Sequence, residues 1–215
     1  MKRQEKIDLI ASSIGKNITV RLLFKYDVNY RYYYPNAVNN RFIVGQEETD
    51  FLLDGYHIRK ISDLRKAELK DNLCDQIDIW KGVVDGIKQP EIDISSWQSI
   101  FQSPAFQNEF VIIEDENSLI YKIGFIVKAT TRYVLLNSFD ADGIFESEPT
   151  VILYSGITHV VWKTRYSDTW YQYMKCHDMI LPRDGIPPRL RVDLERTDGG
   201  NRHGTVCPIV RNKNT

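Results

Sequence analysis

Short stretches of alternating apolar and polar residues run through most of the chain, and a helical stretch precedes the first of them. Residues 7–14 carry isoleucine at spacings of three and four, the period of a helix that Gly15 would end. Residues 18–22 alternate between apolar and polar positions, which is the period of a strand. The pattern therefore predicts a short helix followed at once by a strand.

The same order of elements returns near residue 95. Serines at positions 95 and 96 are candidate caps of a helix over residues 97–101, and the apolar run 110–113 follows it. The strand that begins at Ile18 then aligns with the residues from Phe110 onward, at an offset of 92. This order predicts a second copy of the first element pair.

Two later segments extend the alignment. Residues 41–44 parallel residues 132–135 at an offset of 91, and residues 61–64 parallel residues 157–160 at an offset of 96. The larger offset predicts five extra residues in the second copy, which the turn-forming residues 140–143 would accommodate. Because an insertion in a turn leaves the alternation of the strands in phase, the pattern indicates a duplicated module.

The predicted organisation is a first module over residues 1–82, a linker over 83–94, a second module over 95–176 and a C-terminal extension over 177–215. A closing helix is expected from Ser167 in the second module and over residues 72–80 in the first. The strands of the second module are expected near residues 109–114, 118–129, 131–139, 147–154 and 157–164. Alternation in the extension leaves two interpretations open, a docked hairpin or partial disorder.

A helix followed by five strands with short turns resembles the Sm-like and SH3-like small barrels. The resemblance implies a mainly β (α+β) chain of two tandem five-stranded barrels, each with a short N-terminal helix. Residues 50–56 and 138–143, with residues 165–168 downstream, are also similar to a group of bacterial proteins that brings no known activity with it. The resemblance therefore implies a fold and no activity.

Charge and cysteine content narrow the classes of function. The 28 lysines and arginines nearly balance 29 aspartates and glutamates, so no overall field attracts polyanions. The three cysteines, Cys74, Cys176 and Cys207, are widely spaced and fit a reducing cytoplasm. No apolar stretch approaches the roughly 18 residues that span a bilayer. We expect a cytoplasmic protein without membrane contact.

The most unusual local feature is a run of four tyrosines and one arginine. On a strand, Tyr30, Tyr32 and Tyr34 would share one face, with Arg31 on the other. Aromatic faces beside arginine can stack unpaired bases, so we predict these four residues, together with Arg41, as binding residues. The alternative is structural, with the rings covering a barrel and their hydroxyls reaching water.

The resemblance to Sm-like proteins only partly supports RNA binding. Their RNA pockets usually carry an Asp or Asn near the end of one strand and an Arg-Gly or Lys-Gly pair in a later one. The corresponding later segment here, residues 60–63, reads Lys-Ile-Ser-Asp and lacks the glycine. This departure weakens the nucleic-acid interpretation.

Motifs for metals and cofactors are incomplete. Counting from Asp140, the twelfth position of a calcium loop is Val151, which has no oxygen ligand in its side chain. The pair at residues 176–177, and His203 with Cys207, lack the short cysteine spacing of a zinc ribbon. We expect neither a metal nor a cofactor.

The remaining titratable residues have ordinary interpretations. The acidic runs 47–48 and 114–116 are expected in solvent at strand ends or turns, and His57 and His159 are expected at the surface of strands. Cys176 as a nucleophile would require a nearby base, such as His159.

Three functions follow from these observations. The leading hypothesis is a non-enzymatic, regulatory or protein-interaction scaffold with an unidentified protein partner. The alternatives are an Sm-like binder of RNA or single-stranded nucleic acid, and an enzyme with a site between the modules near His159 and Cys176. The sequence leaves the oligomeric state open.

Overall fold

The computed structural model describes residues 1–70, 72–177 and 179. A first compact unit comprises Met1–Tyr171, and the described residues beyond it belong to a second unit. The helices are α1 (Arg3–Ser13), α2 (Leu73–Trp80), α3 (Trp97–Gln102) and α4 (Arg165–Cys176). The strands are β1 (Val20–Phe24), β2 (Arg31–Val38), β3 (Phe42–Thr49), β4 (Leu52–Lys60), β5 (Leu64–Leu69), β6 (Val111–Asp115), β7 (Ile120–Ala129), β8 (Tyr133–Phe139), β9 (Thr150–Leu153) and β10 (His159–Trp162).

The strands form one antiparallel sheet of ten, in the order β5-β1-β2-β3-β4-β10-β6-β7-β8-β9. The protein is therefore mainly β, as predicted. In each half of this order, the fifth strand of the half lies beside its first, and the first four strands follow in sequence. The two halves meet where β4 pairs with β10, and Ile58 there lies opposite Val160.

Pairing within the two halves follows one register. Val20 pairs with Tyr33, and Val111 pairs with Gly124, so both partners move by 91 residues. The break in register between β2 and β3 falls at residues 35–37, and that between β7 and β8 falls 91 residues later. The first three strands of each half thus have matching partners.

The register differs from the sequence alignment in two places. The offset at the first strand is 91 and not 92, because Val20 corresponds to Val111. In the fourth and fifth strands the offset is 93, since Arg59 corresponds to Ile152. The second half therefore contains two extra residues, where the alignment gave five. Residues 110–113 are all buried, so their apolarity gave no phase to fix the alignment.

The predicted closed barrels are not found in the described part of the chain. The ten strands form one continuous sheet that does not close, and the fourth strand of the first half pairs with β10 of the second half. An unpaired strand edge is a liability that a protein can remove by pairing it with another strand. Here the second half covers that edge, so closure of the first half on itself is not needed.

Two buried clusters hold the sheet. The first lies under α1 and the strands of the first half, and it comprises Ile7, Ile10, Val20, Leu22, Phe24, Tyr33, Ile43, Ile61, Leu64 and Ala67. The second joins the halves and comprises Phe42, Val44, Tyr56, Ile58, Trp97, Ile100, Phe101, Phe106, Val111, Ile113, Val134, Leu136, Ile157, Val160 and Trp162. In β3, Ile43 therefore belongs to the first cluster, and Phe42 and Val44 belong to the second. This strand is buried on both faces for that reason.

Helix ends follow local capping chemistry. The Asn72 side chain accepts from the Cys74 backbone N–H at the start of α2. Ser96, a predicted cap, accepts from Ser99 at the start of α3. The cap of α4 is Thr164, three residues before the predicted cap Ser167. Thr164 accepts from the Ser167 backbone N–H at 3.1 Å, and the Ser167 hydroxyl accepts from the Thr164 backbone N–H at 3.0 Å.

Several predictions lie outside the described residues. These are the terminal hairpin after residue 189 and any role of His203 or Cys207. Among the helices that are described, none is long and apolar enough to cross a membrane.

Candidate functional site

A cleft of about 690 Å³ opens in the first unit where loops from the two halves of the sheet meet. Its walls come from the β1–β2 loop, the start of β2, the end of β3 with its turn into β4, residues near the start of α2, and Glu116 after β6. Across the boundary between the halves, Tyr26 donates from its hydroxyl to Asn117 at 2.5 Å. We call this feature the acidic cleft.

Carboxylates outnumber cations in its lining. The five acidic residues are Asp27, Glu47, Glu48, Asp50 and Glu116. Only Arg31 and Lys70 carry positive charge among the described residues that line it. The lining therefore has an excess of carboxylates, although four of the five, all but Asp50, form ion pairs with Arg31, Arg59 or Lys70.

The acidic cleft also has an aromatic rim, formed by Tyr26, Tyr30, Tyr32 and Phe51. Each of these rings has a cation of the same chain nearby, and the shortest of the four distances is 4.3 Å from Lys70 Nζ to the Tyr32 ring centroid. Such contacts are favourable because the face of an aromatic ring is electron-rich. The rim is thus an environment that suits positive charge.

The turn between β3 and β4 places Phe51 at the rim at a conformational cost. Asp50 and Phe51 both have positive φ, at 54° and 62°. A two-residue hairpin turn of this kind favours glycine or asparagine, and a bulky residue there is unusual. Glu48 holds the turn by accepting from the Phe51 backbone N–H at 2.8 Å. Strained backbone of this type often marks a functional site.

A buried ion-pair network forms the floor of the acidic cleft. Arg59, with only 2% of its side chain exposed, contacts Asp27 at 3.2 Å and Glu116 at 2.9 Å. Arg31 contacts Asp27 at 3.3 Å and Glu47 at 2.9 Å. Two arginines from the first half therefore fix carboxylates from both halves.

Behind this network, two histidines form a hydrogen-bonded chain across the β4–β10 pair. His57 Nδ1 lies 2.9 Å from His159 Nε2. At one end, His57 Nε2 lies 3.2 Å from the Asp54 carbonyl oxygen, and at the other, His159 Nδ1 lies 3.0 Å from Glu114 Oε2. Glu47 Oε2 is 3.1 Å from His57 Nε2, which connects the chain to the acidic cleft.

The position of each proton follows from the partners. A carbonyl oxygen only accepts, so the Nε2 atom of His57 carries hydrogen. Neutral His57 then accepts at Nδ1 from the Nε2–H group of His159. Neutral His159 then has a bare Nδ1 atom, so its 3.0 Å contact with Glu114 Oε2 is a hydrogen bond when Glu114 carries a proton.

The pKa directions agree with this arrangement. Burial lowers the pKa of His57, although nearby Glu47 opposes the shift. Burial lowers the pKa of His159 well below its ordinary value, with a further contribution from Arg59. Burial raises the pKa of Glu114, against the effect of Arg59. Each shift favours the neutral form, as expected for groups removed from water.

The structure brings together three of the five predicted binding residues. Tyr30, Arg31 and Tyr32 line the acidic cleft. Tyr34 is buried and donates its hydroxyl hydrogen to Asp78 at 3.0 Å. Arg41 lies outside the cleft, in the turn before β3, and its guanidinium donates to the Ser95 carbonyl at 3.2 Å. The tyrosines therefore do not form one continuous exposed platform.

The expectation of solvent exposure was wrong for Glu47, Glu48, His57 and His159, whereas the run 114–116 does lie at the end of β6 and is half-buried. Glu47 and Glu48 lie within β3 and are buried, and His57 and His159 are 6% and 3% exposed. The sequence did contain possible partners for buried carboxylates, namely Arg31 in β2, Arg59 in β4 and Lys70 after β5. Only the strand order shows that these charges meet.

Other candidate chemistry is sparse. No group of three or more His, Cys, Asp or Glu side chains has the geometry of a metal site within residues 1–70, 72–177 and 179. Cys74 is a free thiol near the acidic cleft. Cys176 is the last residue of α4 and belongs to the second unit.

Comparison with known proteins gives no match among protein families, curated proteins or solved structures. We therefore infer the function from the geometry of the site.

Proposed function

We propose that this chain is a non-enzymatic binding protein made of two copies of one Sm-like five-stranded module. Its acidic cleft binds a lysine- or arginine-containing segment of a protein partner. The observation that carries the proposal is the excess of carboxylates around a rim of aromatic rings.

Matching registers support the duplicated module. The partner pairs of the first three strands recur 91 residues later, including the break in register between the second and third strands. A break at the same position in both halves favours a duplicated module over two unrelated sheets, because a break changes which side chains face the core.

A positively charged segment suits the site for two reasons. Carboxylates form charge-assisted hydrogen bonds with ammonium and guanidinium groups. Aromatic faces stabilise the same groups, and the chain already places Lys70 over Tyr32 and Arg21 over Tyr30. The acidic cleft lies at the junction of the halves, so both modules contribute to one surface.

Nucleic acid is a poorer occupant of the same cleft. Phosphate groups would meet five carboxylates, and binding of nucleic acid depends on neutralising phosphates with cations. Stacking of successive bases would also need a continuous face of rings, whereas Tyr34 is buried and lies outside the cleft that Tyr30 and Tyr32 line.

The proposal is tested with labelled peptides and RNA. We expect a labelled octalysine peptide to bind, octaglutamate to fail, and the octalysine affinity to fall as salt is raised. Asp50→Lys reverses an exposed charge of the cleft and should weaken octalysine binding about tenfold, since a charge pair near the surface contributes on the order of 1–2 kcal/mol. Fluorescence anisotropy measures each affinity.

Asp142→Lys is the matched control, because it makes the same charge change at an exposed turn outside the cleft. It should leave octalysine affinity within a factor of two or so of the parent protein. Equal losses in the two variants would contradict the proposal, as would binding of a single-stranded RNA oligonucleotide in place of the peptide.

A further inference from the structure

Within the residues that the structure describes, the ten-stranded sheet ends in two strands of different kinds, each paired on one side only. β5 is the fifth strand of the first half, and β9 is the fourth strand of the second half. At the centre of the sheet, the chain already pairs a fourth strand with a fifth strand. These are β4, the fourth strand of the first half, and β10, the fifth strand of the second half. Its two free edges therefore correspond to the two strands that already pair at the centre of the sheet.

Register identifies the corresponding residues on the fourth strands. Ile58 lies opposite Val44 in the first half, and Val151 lies opposite Leu135, which corresponds to Val44 at the offset of 91. Val151 therefore occupies the position of Ile58. By the same relation, Thr150 occupies the position of His57.

The fifth strands correspond in the same way. Ala67 lies opposite Leu22, and Val160 lies opposite Ile113, which corresponds to Leu22. Ala67 therefore occupies the position of Val160, and Glu68, one residue further on, occupies that of Val161.

Corresponding positions differ sharply in exposure. Ile58 is fully buried because the second half packs on it, whereas Val151 is 58% exposed. Leu153, on the same face of β9, is 57% exposed. On the other edge, Leu69 occupies the position of Trp162 and is 47% exposed, while Trp162 is 1% exposed. Val151, Leu153 and Leu69 are therefore uncovered at the two ends, whereas Ala67, at the position of Val160, is already buried at 1% exposure.

The two edges also differ in how they resist pairing. Natural proteins protect edge strands with charged residues, proline or bulges. β9 reads Thr-Val-Ile-Leu and has no charge, and Pro149 lies just before its first residue. β5 contains Arg65, Lys66 and Glu68, which discourage indiscriminate pairing. β9 is thus protected by its short length and by Pro149, but it carries no charge that would repel a specific partner strand.

We infer that copies of this chain assemble head to tail, with β9 of one copy pairing antiparallel with β5 of the next. The register is that of the central pair, so Val151 lies opposite Ala67 and Thr150 lies opposite Glu68. Val151 then packs over the first cluster of the next copy, as Ile58 packs over the second cluster within one chain. A head-to-tail interface of this type builds a closed ring if its rotation closes, and a filament if it does not.

Light scattering coupled to size exclusion tests the assembly on the full chain. We expect a mass above the 25.1 kDa monomer that rises with protein concentration. Val151→Lys places a charge on the uncharged edge and should return the mass to that of the monomer. Leu119→Lys is the control, because it removes an exposed apolar side chain in the β6–β7 turn, and it should assemble like the parent. A monomer at all concentrations, or loss of assembly in both variants, would overturn the inference.

Disulfide cross-linking between separately prepared variants tests the register. Thr150→Cys mixed with Glu68→Cys should give a cross-linked dimer under mild oxidation, because the two residues lie opposite each other. Thr150→Cys mixed with Arg65→Cys should not, since the cysteines would be displaced by three residues, about 10 Å along the strand. Parent protein treated in the same way reports any cross-linking through the native thiols. Dimers formed by Thr150→Cys alone would show pairing of β9 with β9 and reject the head-to-tail arrangement.

Discussion

His57 and His159, which are 102 residues apart in the chain, place two ring nitrogens 2.9 Å apart across the strands that join the halves of the sheet. His57 comes from β4 and His159 from β10, and each is held at its other nitrogen by a second group. A buried contact of this type fixes both ring orientation and proton position. The junction of the two halves is therefore polar at this point, although a large apolar cluster also spans it.

Both histidines should be neutral tautomers with hydrogen on Nε2. The Asp54 carbonyl requires hydrogen on Nε2 of His57, and His159 must then donate from its own Nε2 to the bare Nδ1 of His57. Long-range nitrogen–proton NMR correlation at neutral pH distinguishes the two nitrogens of each ring. An imidazolium signal from either residue would contradict this arrangement.

Replacement of Glu114 should show whether it stabilises His159 as a hydrogen-bond donor or as an ionised carboxylate. Glu114→Gln supplies an N–H donor to the Nδ1 atom of His159, so we expect little change in the free energy of unfolding. Glu114→Ala leaves that buried nitrogen without its partner, which should cost about 1–3 kcal/mol. Urea denaturation measures both variants. Equal losses in Gln and Ala would show that Glu114 acts as an ionised carboxylate.

The free energy of unfolding should decrease as the pH falls below about 6.5, the ordinary pKa of histidine. The pKa values of His57 and His159 are lowered in the folded protein, so the unfolded chain takes up protons in this range that the folded chain does not. Glu114 acts in the opposite direction, because its raised pKa adds stability at acidic pH that is lost as the pH rises through it. The two histidines therefore set the sign of the slope, and Glu114 reduces its size.

Urea denaturation at several pH values between 5 and 7 checks this dependence. A variant with both His57→Gln and His159→Gln lacks the two groups, so its stability should no longer decrease on acidification in that interval. Parallel pH profiles of the parent and the double variant would assign the dependence to other residues.

The sequence was sufficient for the coarse fold and insufficient for the site. Alternation and turn residues predicted the strands of both halves, and the cap Ser96 was predicted correctly because capping is a local property. The pairing of β4 with β10 has no local signal, because it depends on which strand edges are left open after each half folds. Closed barrels were expected for that reason.

The residues of the acidic cleft also fall into those that the sequence predicted and those that it did not. Tyr30, Arg31 and Tyr32 stood out in the sequence because they are unusual neighbours, and they do line the cleft. Glu47 looked like an ordinary surface acid, since nothing near it in the sequence indicates Arg31 and His57 as its contacts. Burial of a charged residue depends on partners from other strands, so only the tertiary structure shows it.

Arg59 should contribute far more to stability than Arg21, although the two make similar contacts. Each lies 5.0 Å from an aromatic ring centroid and pairs with a carboxylate. The Arg59 side chain is 2% exposed, and its removal leaves buried Asp27 undercompensated, so Arg59→Met should cost about 3–5 kcal/mol. The Arg21 side chain is 42% exposed, and Arg21→Met should cost at most about 1 kcal/mol. Urea denaturation of the two variants compares them directly, and equal losses would show that burial of the Arg59 network adds nothing to the stability of the junction.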